Sequence, residues 1–327
     1  MIVVTGGAGF IGSALVWQLN QNGITDIIIV DNFGPNDKYK NIVPLKFEDV
    51  FDKDEFGQMT ADGFLKHNNV ETVYHLGACS STSELDCKFL FRNNYEYSKF
   101  LCQHALQENI RFIYASSAAT YGDGSNGYND DESTLEQLRP LNPYGYSKHL
   151  FDLWVKHQDL IGKVVGLKFF NVYGPNEYHK KGMRSVVNKC FWQVKETGKA
   201  RLFKSTKPDK YKNGEQKRDF IYVKDAVDMT LFFGENKIIN GIYNIGTGAA
   251  NTFNDFVKPI FSALGKKENI EYIDMDEVLV NRYQNYTKAD IAKIKKAGYD
   301  KPFTPINKAV EDYIGNYLNT DNPYLKK

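Results

Sequence analysis

The stretch Ile2–Asp31, IVVTGGAGFIGSALVWQLNQNGITDIIIVD, decides the fold of this chain. A short β-branched run, Ile2–Val4, leads into a glycine turn, and apolar residues at helical spacing follow over Ser13–Asn20. The continuous apolar run Ile27–Val30 is typical of a parallel strand buried on both faces, and Asp31 ends it. The order of strand, glycine turn, helix, strand and acid predicts one βαβ unit.

Three glycines, Gly6, Gly9 and Gly12, recur at every third position of the turn. One allows a sharp bend, one lets backbone approach a pyrophosphate, and one lets the helix pack closely. Phosphate then sits at the helix N-terminus, where free N–H groups and the helix dipole favour anions. Asp31 lies 19 residues beyond Gly12, where an acid can bind the adenosine ribose. The motif therefore predicts a dinucleotide site.

The charges near the ribose leave the choice of dinucleotide open. Asp31 favours NAD, because its carboxylate accepts hydrogen bonds from ribose hydroxyls and repels a 2′-phosphate. Lys38 and Lys53 are cations that would favour NADP, unless they are ordinary solvated lysines. The residues predict a nicotinamide cofactor without choosing between NAD and NADP.

Strands continue to alternate with helical segments along the first half of the chain. The patterns predict three more strands and one long helix: Val70–His75, Phe112–Ala115, Val164–Phe170 and the helix Tyr144–His157. This alternation predicts an α/β fold, a Rossmann-type doubly wound parallel sheet with a second, smaller α/β substrate domain. Beyond Phe170 the composition changes. Asn171–Gly182 is predicted to be a loop, and Lys204–Arg218 a polar and largely solvated one.

Composition excludes several classes of protein. The chain has 327 residues, is 42% hydrophobic and 25% charged, and carries a net charge of +1, which argues against disorder and against a dedicated nucleic-acid binder. No apolar run is long enough to span a membrane, and no signal peptide is recognisable, so we expect a cytoplasmic protein. Its four cysteines and six histidines show no metal-ligand spacing, so no metal is predicted.

Tyr144 and Lys148 lie one helical turn apart and share a helix face. A free tyrosine has a pKa of about 10 and is a weak base at neutral pH. A nearby ammonium and a cationic nicotinamide both favour the phenolate and lower that pKa. Tyr144 is therefore predicted to remove a hydroxyl proton while a hydride leaves the same carbon. Ser117, at the end of a predicted strand, is chosen over Ser116 as the hydrogen-bond partner of the reacting oxygen.

In combination these motifs resemble the extended short-chain dehydrogenase/reductase family, in particular its nucleotide-sugar epimerases. The resemblance runs from Ile2 to about Asn316. Six further segments carry it: His75–Thr82, Asn93–Tyr95, Phe170–Pro175, His179–Lys180, Lys217–Phe220 and Arg282–Gln284.

The resemblance implies an isomerase that inverts C6″ of ADP-D-glycero-D-manno-heptose by transient oxidation with one tightly bound NADP per subunit. The product would serve the inner core of lipopolysaccharide. Two proton-handling groups are implied, Tyr144 and Lys180. Lys180 acts as a base only if burial, or a cation such as Lys181 or Arg184, lowers its pKa. The alternative for Lys180 is a loop lysine that binds phosphate, and His179 either tunes it or is an ordinary loop residue.

The resemblance also implies binding residues, a homo-oligomer that is pentameric in the family, and an interleaved pair of domains. The cofactor set adds these residues to those above: Phe10, Ile11, Asn32, Leu76, Gly77, Ala78, Cys79, Ser80, Asn93, Val172, Lys148 and Lys180. The substrate set comprises Asn171, Gly182, Lys189, Phe203, Lys204, Ser205, Thr206, Arg218 and Tyr283.

Residues 1–170, with about 219–249 and 281–296, would form the dinucleotide domain. The substrate domain would take about 171–218, 250–280 and 297–327.

Rival functions differ in the chemistry they need. A UDP-hexose 4-epimerase shares the fold and reuses one tyrosine, so it has no need of Lys180. A 4,6-dehydratase needs an acid/base pair beside Ser117, but the stretch Ala118–Thr120 has no carboxylate. A dinucleotide-binding sensor or scaffold without catalysis should lack Tyr144 or Lys148, and both are present.

Overall fold

The computed structural model describes residues 1–280 and 283–326. The strands within this part of the chain are β1 Ile2–Thr5, β2 Ile27–Asp31, β3 Asp49–Asp52, β4 Thr72–His75, β5 Arg111–Ser117, β6 Val165–Phe169, β7 Asn171–Tyr173, β8 Ala200–Phe203, β9 Lys217–Arg218, β10 Phe220–Tyr222, β11 Gly241–Ile245, β12 Asn251–Thr252 and β13 Ile270–Ile273. The α-helices are α1 Phe10–Gln21, α2 Lys53–Ala61, α3 Phe64–His67, α4 Cys87–Leu90, α5 Tyr97–Gln107, α6 Pro143–His157, α7 Val186–Thr197, α8 Val223–Glu235, α9 Phe253–Ala263, α10 Glu277–Val280, α11 Ala292–Lys296 and α12 Ile306–Tyr313.

Seven strands form one parallel sheet in the order β11-β6-β5-β4-β1-β2-β3. Every residue of β2 and β4 is buried, as expected for central parallel strands covered by helices on both faces. The doubly wound α/β fold predicted from the alternation of elements is confirmed. Because the carboxyl ends of parallel strands meet at one edge, the glycine turn, Ser117 and the start of α6 come together there.

The first βαβ unit has the predicted order, but its helix begins earlier than the apolar spacing indicated. Helix α1 starts at Phe10 instead of Ser13, so Gly12 lies inside its first turn. A Cβ atom on Gly12 would lie 2.1 Å from the carbonyl oxygen of Gly6. Only glycine therefore allows this close return of the chain, and the helix N-terminus reaches the sheet edge.

The predicted loop Asn171–Gly182 is only partly a loop. Its first residues form β7, which pairs in parallel with β10, and Tyr178–Met183 forms a 3₁₀ helix. The prediction was wrong there because β7 is stabilised by a segment about fifty residues downstream, which local composition does not reveal. Arg218, expected in a solvated stretch, lies in β9 with only 6% of its surface exposed.

Smaller elements complete the second half of the chain. Strands β8 and β13 pair in parallel, and β9 pairs antiparallel with β12. Strand β11 returns to the main sheet beside β6, as the interleaved domain boundaries would require. Those boundaries remain a prediction, and Asn281 and Arg282, which open the predicted crossing 281–296, lie outside the described residues.

Two features are absent from residues 1–280 and 283–326. In that part of the chain, no helix combines the length and the apolar character needed to cross a membrane. Across the same residues, no group of three or more His, Cys, Asp and Glu side chains could hold a metal ion.

Candidate active site

A continuous cleft follows the carboxyl edge of the main sheet. Its first part lies over the ends of β1 and β2, its middle part over the glycine turn, and its last part against the second half of the chain. Tyr144 and Lys180 line both the middle part and the last part. We call the first two parts the dinucleotide groove and the last part, a cavity of about 490 Å³, the inner cavity.

The glycine turn makes a cradle of suitable shape for a pyrophosphate. Gly6 has φ +67°, and a Cβ atom there would lie 2.7 Å from the backbone of Gly77. Helix α1 begins behind this turn with Gly9 as its N-cap, and no side chain caps it. Backbone N–H groups at such an uncapped helix start favour an anion, and no acidic residue occupies its first turn. The residues present therefore fit a dinucleotide.

Asp31 is already bound by protein donors at the ribose end. One carboxylate oxygen accepts the backbone N–H of Ala8 at 2.9 Å. The other accepts the backbone N–H of Asn32 at 2.7 Å and the Lys38 ammonium at 2.5 Å. Lys53 lines the same part of the groove and pairs with Asp54 at 2.9 Å. Asp31 thus braces the glycine turn, and its charge is compensated by a lysine.

The predicted segment Leu76–Ser80 lies along the groove, as does Asn93. The adjacent Asn94, fully buried, holds this segment in place. It accepts the backbone N–H of Cys79 at 2.8 Å and donates to the Cys79 carbonyl at 2.9 Å. It also donates to Ser147 Oγ at 3.0 Å, which links the segment to helix α6. Sequence reasoning did not assign Asn94 a role, although an amide can make such a two-way bridge.

Helix α6 carries Tyr144 and Lys148 at its start. Asn142 caps it by accepting the backbone N–H of Gly145 at 2.8 Å, and a proline occupies N1. The Lys148 ammonium donates to the carbonyl oxygen of Ala115 at 2.7 Å. Ser117 lines the inner cavity with Tyr144. Helix α6 and the end of β5 thereby bring a phenol and a hydroxyl to the inner cavity, and the same phenol and an ammonium to the dinucleotide groove.

The neighbouring Ser116 lines the dinucleotide groove, and its hydroxyl belongs to a buried network. It donates to Asp152 at 2.7 Å, and Asp152 also pairs with Lys168 at 2.6 Å. Tyr114 donates to the other oxygen of the same carboxylate at 2.9 Å. Both serine hydroxyls have a structural partner, since Ser117 Oγ accepts the backbone N–H of Ala119 at 3.1 Å, and the choice of Ser117 stays a prediction.

Burial acts on both ionisable groups of the helix start. It raises the pKa of Tyr144 above the ordinary tyrosine value, and the hydrogen bond with Ser117 acts in the opposite direction. Burial also lowers the pKa of Lys148 to about 8, against the opposing effect of Asp152. The sequence predicted that Lys148 lowers the pKa of Tyr144, but in the protein alone this pKa is raised. The Lys148 ammonium instead donates to a backbone carbonyl.

Lys180 reaches the cleft from the 3₁₀ helix, with its Nζ atom 5.3 Å from the centre of the Phe10 ring. Its pKa is lowered by burial, while Glu177 acts in the opposite direction. Lys181 and Arg184, expected as sources of this effect, are not its cause. Burial lowers the pKa of His179 to about 4, so this histidine is neutral at pH 7 and adds no charge.

The inner cavity is cationic and aromatic. Lys180, Arg184, Lys189 and Arg218 line it, and none of its described lining residues is acidic. The Arg218 guanidinium lies 4.9 Å from the Tyr283 ring centre and 5.7 Å from that of Phe253. Burial lowers its pKa. A buried guanidinium in such surroundings suits a diphosphate, because its planar donors bind phosphate oxygens in pairs.

The structure brings most of the predicted substrate residues to the inner cavity: Asn171, Gly182, Lys189, Phe203, Arg218 and Tyr283. Val172, predicted to bind the cofactor, lines this cavity instead of the groove. The residues that the prediction missed include Met183, Phe253 and Phe256 in this cavity, and Asn36 and Tyr97 in the groove. No local motif marks them, since apolar and amide side chains are common throughout the chain.

Three predicted substrate residues do not line the cleft. Lys204 pairs with Asp274 at 2.9 Å on the surface. The backbone N–H of Ser205 donates to an asparagine at 3.0 Å, and Thr206 donates to another asparagine at 3.0 Å. The reason is that β8 ends at Phe203, after which local partners hold the chain outside the cavity.

Comparison with known proteins agrees with this geometry. The sequence model of the NAD dependent epimerase/dehydratase family matches residues 2–246. A protein of Nitratidesulfovibrio vulgaris named ADP-L-glycero-D-manno-heptose-6-epimerase is 49% identical over 99% of this chain and 100% of its own. A Fusobacterium nucleatum protein of the same name is 48% identical over the same shares. The solved structure of a Helicobacter pylori protein of that name superposes with a TM-score of 0.79, at 27% identity, over 96% of this chain and 95% of its own.

Proposed function

This chain belongs to the NAD dependent epimerase/dehydratase family, and from that premise we propose that it converts ADP-D-glycero-D-manno-heptose to ADP-L-glycero-D-manno-heptose. The family resemblance predicted from the sequence is confirmed, as is the nicotinamide dinucleotide class of cofactor. The activity is carried over from relatives that match nearly the whole chain. The product would serve the inner core of lipopolysaccharide.

One observation of the structure supports this reaction independently of the family name. Tyr144 and Lys180 both line the boundary between the dinucleotide groove and the inner cavity. A redox-neutral epimerisation needs proton transfer at both faces of one carbonyl, and two such groups supply it. A 4-epimerase that reuses one tyrosine has no need of a second base at this boundary.

Each proton transfer of the reaction is assigned to particular residues of the chain. When bound, the nicotinamide dinucleotide accepts a hydride from C6″ of the sugar and returns it. Tyr144 or Lys180 takes the proton from the C6″ hydroxyl as the C–H bond breaks. Ser117 donates a hydrogen bond to the carbonyl oxygen that forms. The carbonyl then turns over in the inner cavity, and the other base gives its proton to the oxygen.

The inner cavity holds the rest of the substrate. Arg218, with Lys189 and Arg184, binds the diphosphate of an ADP-sugar. Tyr283 and Asn171 close the sugar end. The lack of acidic residues among the described lining residues suits a dianionic ligand.

A measurement without added cofactor tests the proposal. Purified protein is incubated with ADP-D-glycero-D-manno-heptose, and proton NMR follows the sugar. Appearance of the L-glycero epimer supports both the reaction and a dinucleotide that copurifies with the protein. If no epimer forms even after NADP and NAD are added, the heptose reaction is wrong. UDP-glucose is then tested for 4-epimerisation.

We also propose NADP as the preferred dinucleotide. The Lys38 ammonium compensates the Asp31 charge at 2.5 Å, and Lys53 lies in the same part of the groove. This compensation removes the repulsion that would otherwise exclude a 2′-phosphate, and the two lysines can bind it.

Lys38→Ala should weaken NADP binding by about tenfold or more, because a hydrogen bond to a charged group contributes about 1.5–3 kcal/mol. The affinity for NAD should change little, since NAD lacks the 2′-phosphate. Calorimetric titration of the stripped protein with each dinucleotide measures both affinities. Lys40→Ala removes an exposed lysine two residues away, which pairs with Asp37, and serves as the control. Equal losses for NADP and NAD with Lys38→Ala would refute the assignment.

The contribution of Lys148 should depend on pH. We propose that its ammonium favours the Tyr144 phenolate in the complex with dinucleotide and substrate. Its pKa of about 8 means that this charge is present below pH 8 and lost above it. The ratio of wild-type kcat to that of Lys148→Met should therefore be largest near pH 7 and should fall as the pH rises through about 8. Profiles of kcat from pH 6 to 10, about two units on either side of the Lys148 pKa, give this ratio. A ratio that does not depend on pH contradicts the proposed role of Lys148.

Assembly and location remain predictions. The family resemblance implies a homo-oligomer, pentameric in the family, and a location in the cytoplasm. Light scattering of the purified protein would give the mass of the assembly.

A further inference from the structure

We propose that Asn176 and Glu177, together with the terminal segment Pro323–Lys326, act as positioning residues for Lys180. The proposal rests on the proposed role of Lys180 as the second base. Lys180 lies in a surface-side 3₁₀ helix and not in a long regular element. A base on such a short element needs other groups to hold it at a fixed place. Residues 176–178, directly before His179 and Lys180, supply these fixed points.

Asn176 is the first fixed point. It is fully buried, and its backbone has φ +76°, a conformation that residues other than glycine and asparagine rarely adopt. Its side chain donates to Ser13 Oγ in helix α1 at 2.9 Å and accepts the backbone N–H of Leu325 at 3.0 Å. Its carbonyl accepts from Asn41 at 3.1 Å. One side chain therefore joins the helix of the glycine turn to the terminal segment.

Glu177 is the second fixed point, with only 1% of its surface exposed. Its carboxylate accepts the Ser185 hydroxyl at 2.6 Å and also the Ser185 backbone N–H. It accepts the Tyr313 hydroxyl of helix α12 at 3.0 Å. The Glu177 carbonyl in turn accepts the backbone N–H of Lys180 at 3.1 Å. A buried carboxylate with several donors closes both ends of the loop that carries Lys180.

The terminal segment is the third fixed point. The Tyr178 hydroxyl donates to the Pro323 carbonyl at 2.6 Å, and its ring meets the Tyr324 ring edge-on at 5.3 Å. Leu325 is fully buried, and Trp17 of helix α1 donates to the Lys326 carbonyl at 3.0 Å. The segment thus lies between α1 and the lysine loop. Asn176, Glu177, Tyr178 and residues 323–326 do not line the cleft, so they act on the reaction through the residues that they hold, Lys180 among them.

Asn176→Gly is the direct test. Glycine accepts the positive φ angle but removes the hydrogen bonds to Ser13 and Leu325. We expect kcat for epimerisation to fall about 10–100-fold while KM stays within about twofold, because the base is displaced but the substrate contacts remain. Asn109→Gly is the matched control, since Asn109 has φ +56° in an exposed turn far from the cleft. It should leave kcat unchanged.

A second readout follows Lys180 itself and separates positioning from a general loss of stability. Competitive acetylation with trace acetic anhydride, read by mass spectrometry, compares Lys180 with Lys66, a surface lysine, and with Lys168, a buried lysine outside the loop. A general loss of stability raises the labelling of Lys168 as well, whereas release of the loop raises that of Lys180 alone. In Asn176→Gly the rate at Lys180 relative to Lys66 should rise several-fold, because the loop is released. Tyr178→Phe, which removes the hydroxyl that bonds to Pro323, should move both readouts in the same direction.

The outcomes are distinct. Unchanged kcat, or reduced kcat with unchanged labelling of Lys180, overturns the proposal. If the wild-type protein has no epimerase activity but Lys180 labelling still rises in Asn176→Gly, the proposed function is wrong. The anchoring of the Lys180 loop is then still supported.

Discussion

Tyr144→Phe should lower kcat for epimerisation by about 10²–10⁴-fold, the usual contribution of a positioned acid–base group. The phenyl ring keeps the packing of the helix start and removes only the hydroxyl that exchanges a proton with the substrate. Because the ring that lines the groove and the inner cavity is retained, KM and dinucleotide affinity should change far less than kcat. Steady-state kinetics with NMR detection, beside a dinucleotide titration, measure both quantities.

Tyr146→Phe is the matched control for this variant. Tyr146 lies two residues along the same helix, is 44% exposed and does not line the cleft. Its kcat should stay within about twofold of wild type, as for an ordinary surface substitution. If Tyr144→Phe and Tyr146→Phe have the same kcat, the phenol does not take part in proton transfer.

Lys180→Arg should lose kcat by a similar factor of about 10²–10⁴. Arginine keeps the positive charge but cannot give up its proton at accessible pH, so it cannot act as a base. Lys180→Met removes the charge as well. The two variants should have equally low kcat if Lys180 is a base, and their thermal unfolding shows that both are folded.

The pair of variants also distinguishes the alternative for Lys180. A lysine that only binds phosphate should be replaced well by arginine, so that Lys180→Arg stays active and Lys180→Met mainly raises KM. That pattern would disprove the two-base scheme. It would leave the role of Tyr144 untouched, since the tyrosine variants test it separately.

Local patterns predicted a large part of this molecule. The run of apolar strands predicted the sheet, because a buried parallel strand is apolar along its whole length. The glycine spacing predicted the helix start at the sheet edge, and the Tyr144–Lys148 spacing placed both side chains on one face of α6. These features depend on neighbours within a few residues, so they can be read from the sequence.

The inner cavity was harder to predict. Lys204, Ser205 and Thr206 continue directly from Phe203, yet only Phe203 lines the cavity. Arg218 lies in a stretch of lysines and differs from them by its burial in β9. Composition does not distinguish these cases, because burial of a polar side chain depends on which distant segments pack against it.

The sequence by itself determined the sheet, the glycine cradle and the Tyr144–Lys148 pair, because each follows from short-range periodicity and backbone sterics. It also indicated the family, through the resemblance of its motifs. Only the tertiary structure decided that Lys204, Ser205 and Thr206 lie outside the cavity, and what holds the Lys180 loop. Those contacts join Asn176 to α1 and to Leu325, 149 positions away. Their formation requires the whole chain to be packed, since hydrogen bonds between distant segments exist only once folding has brought them together.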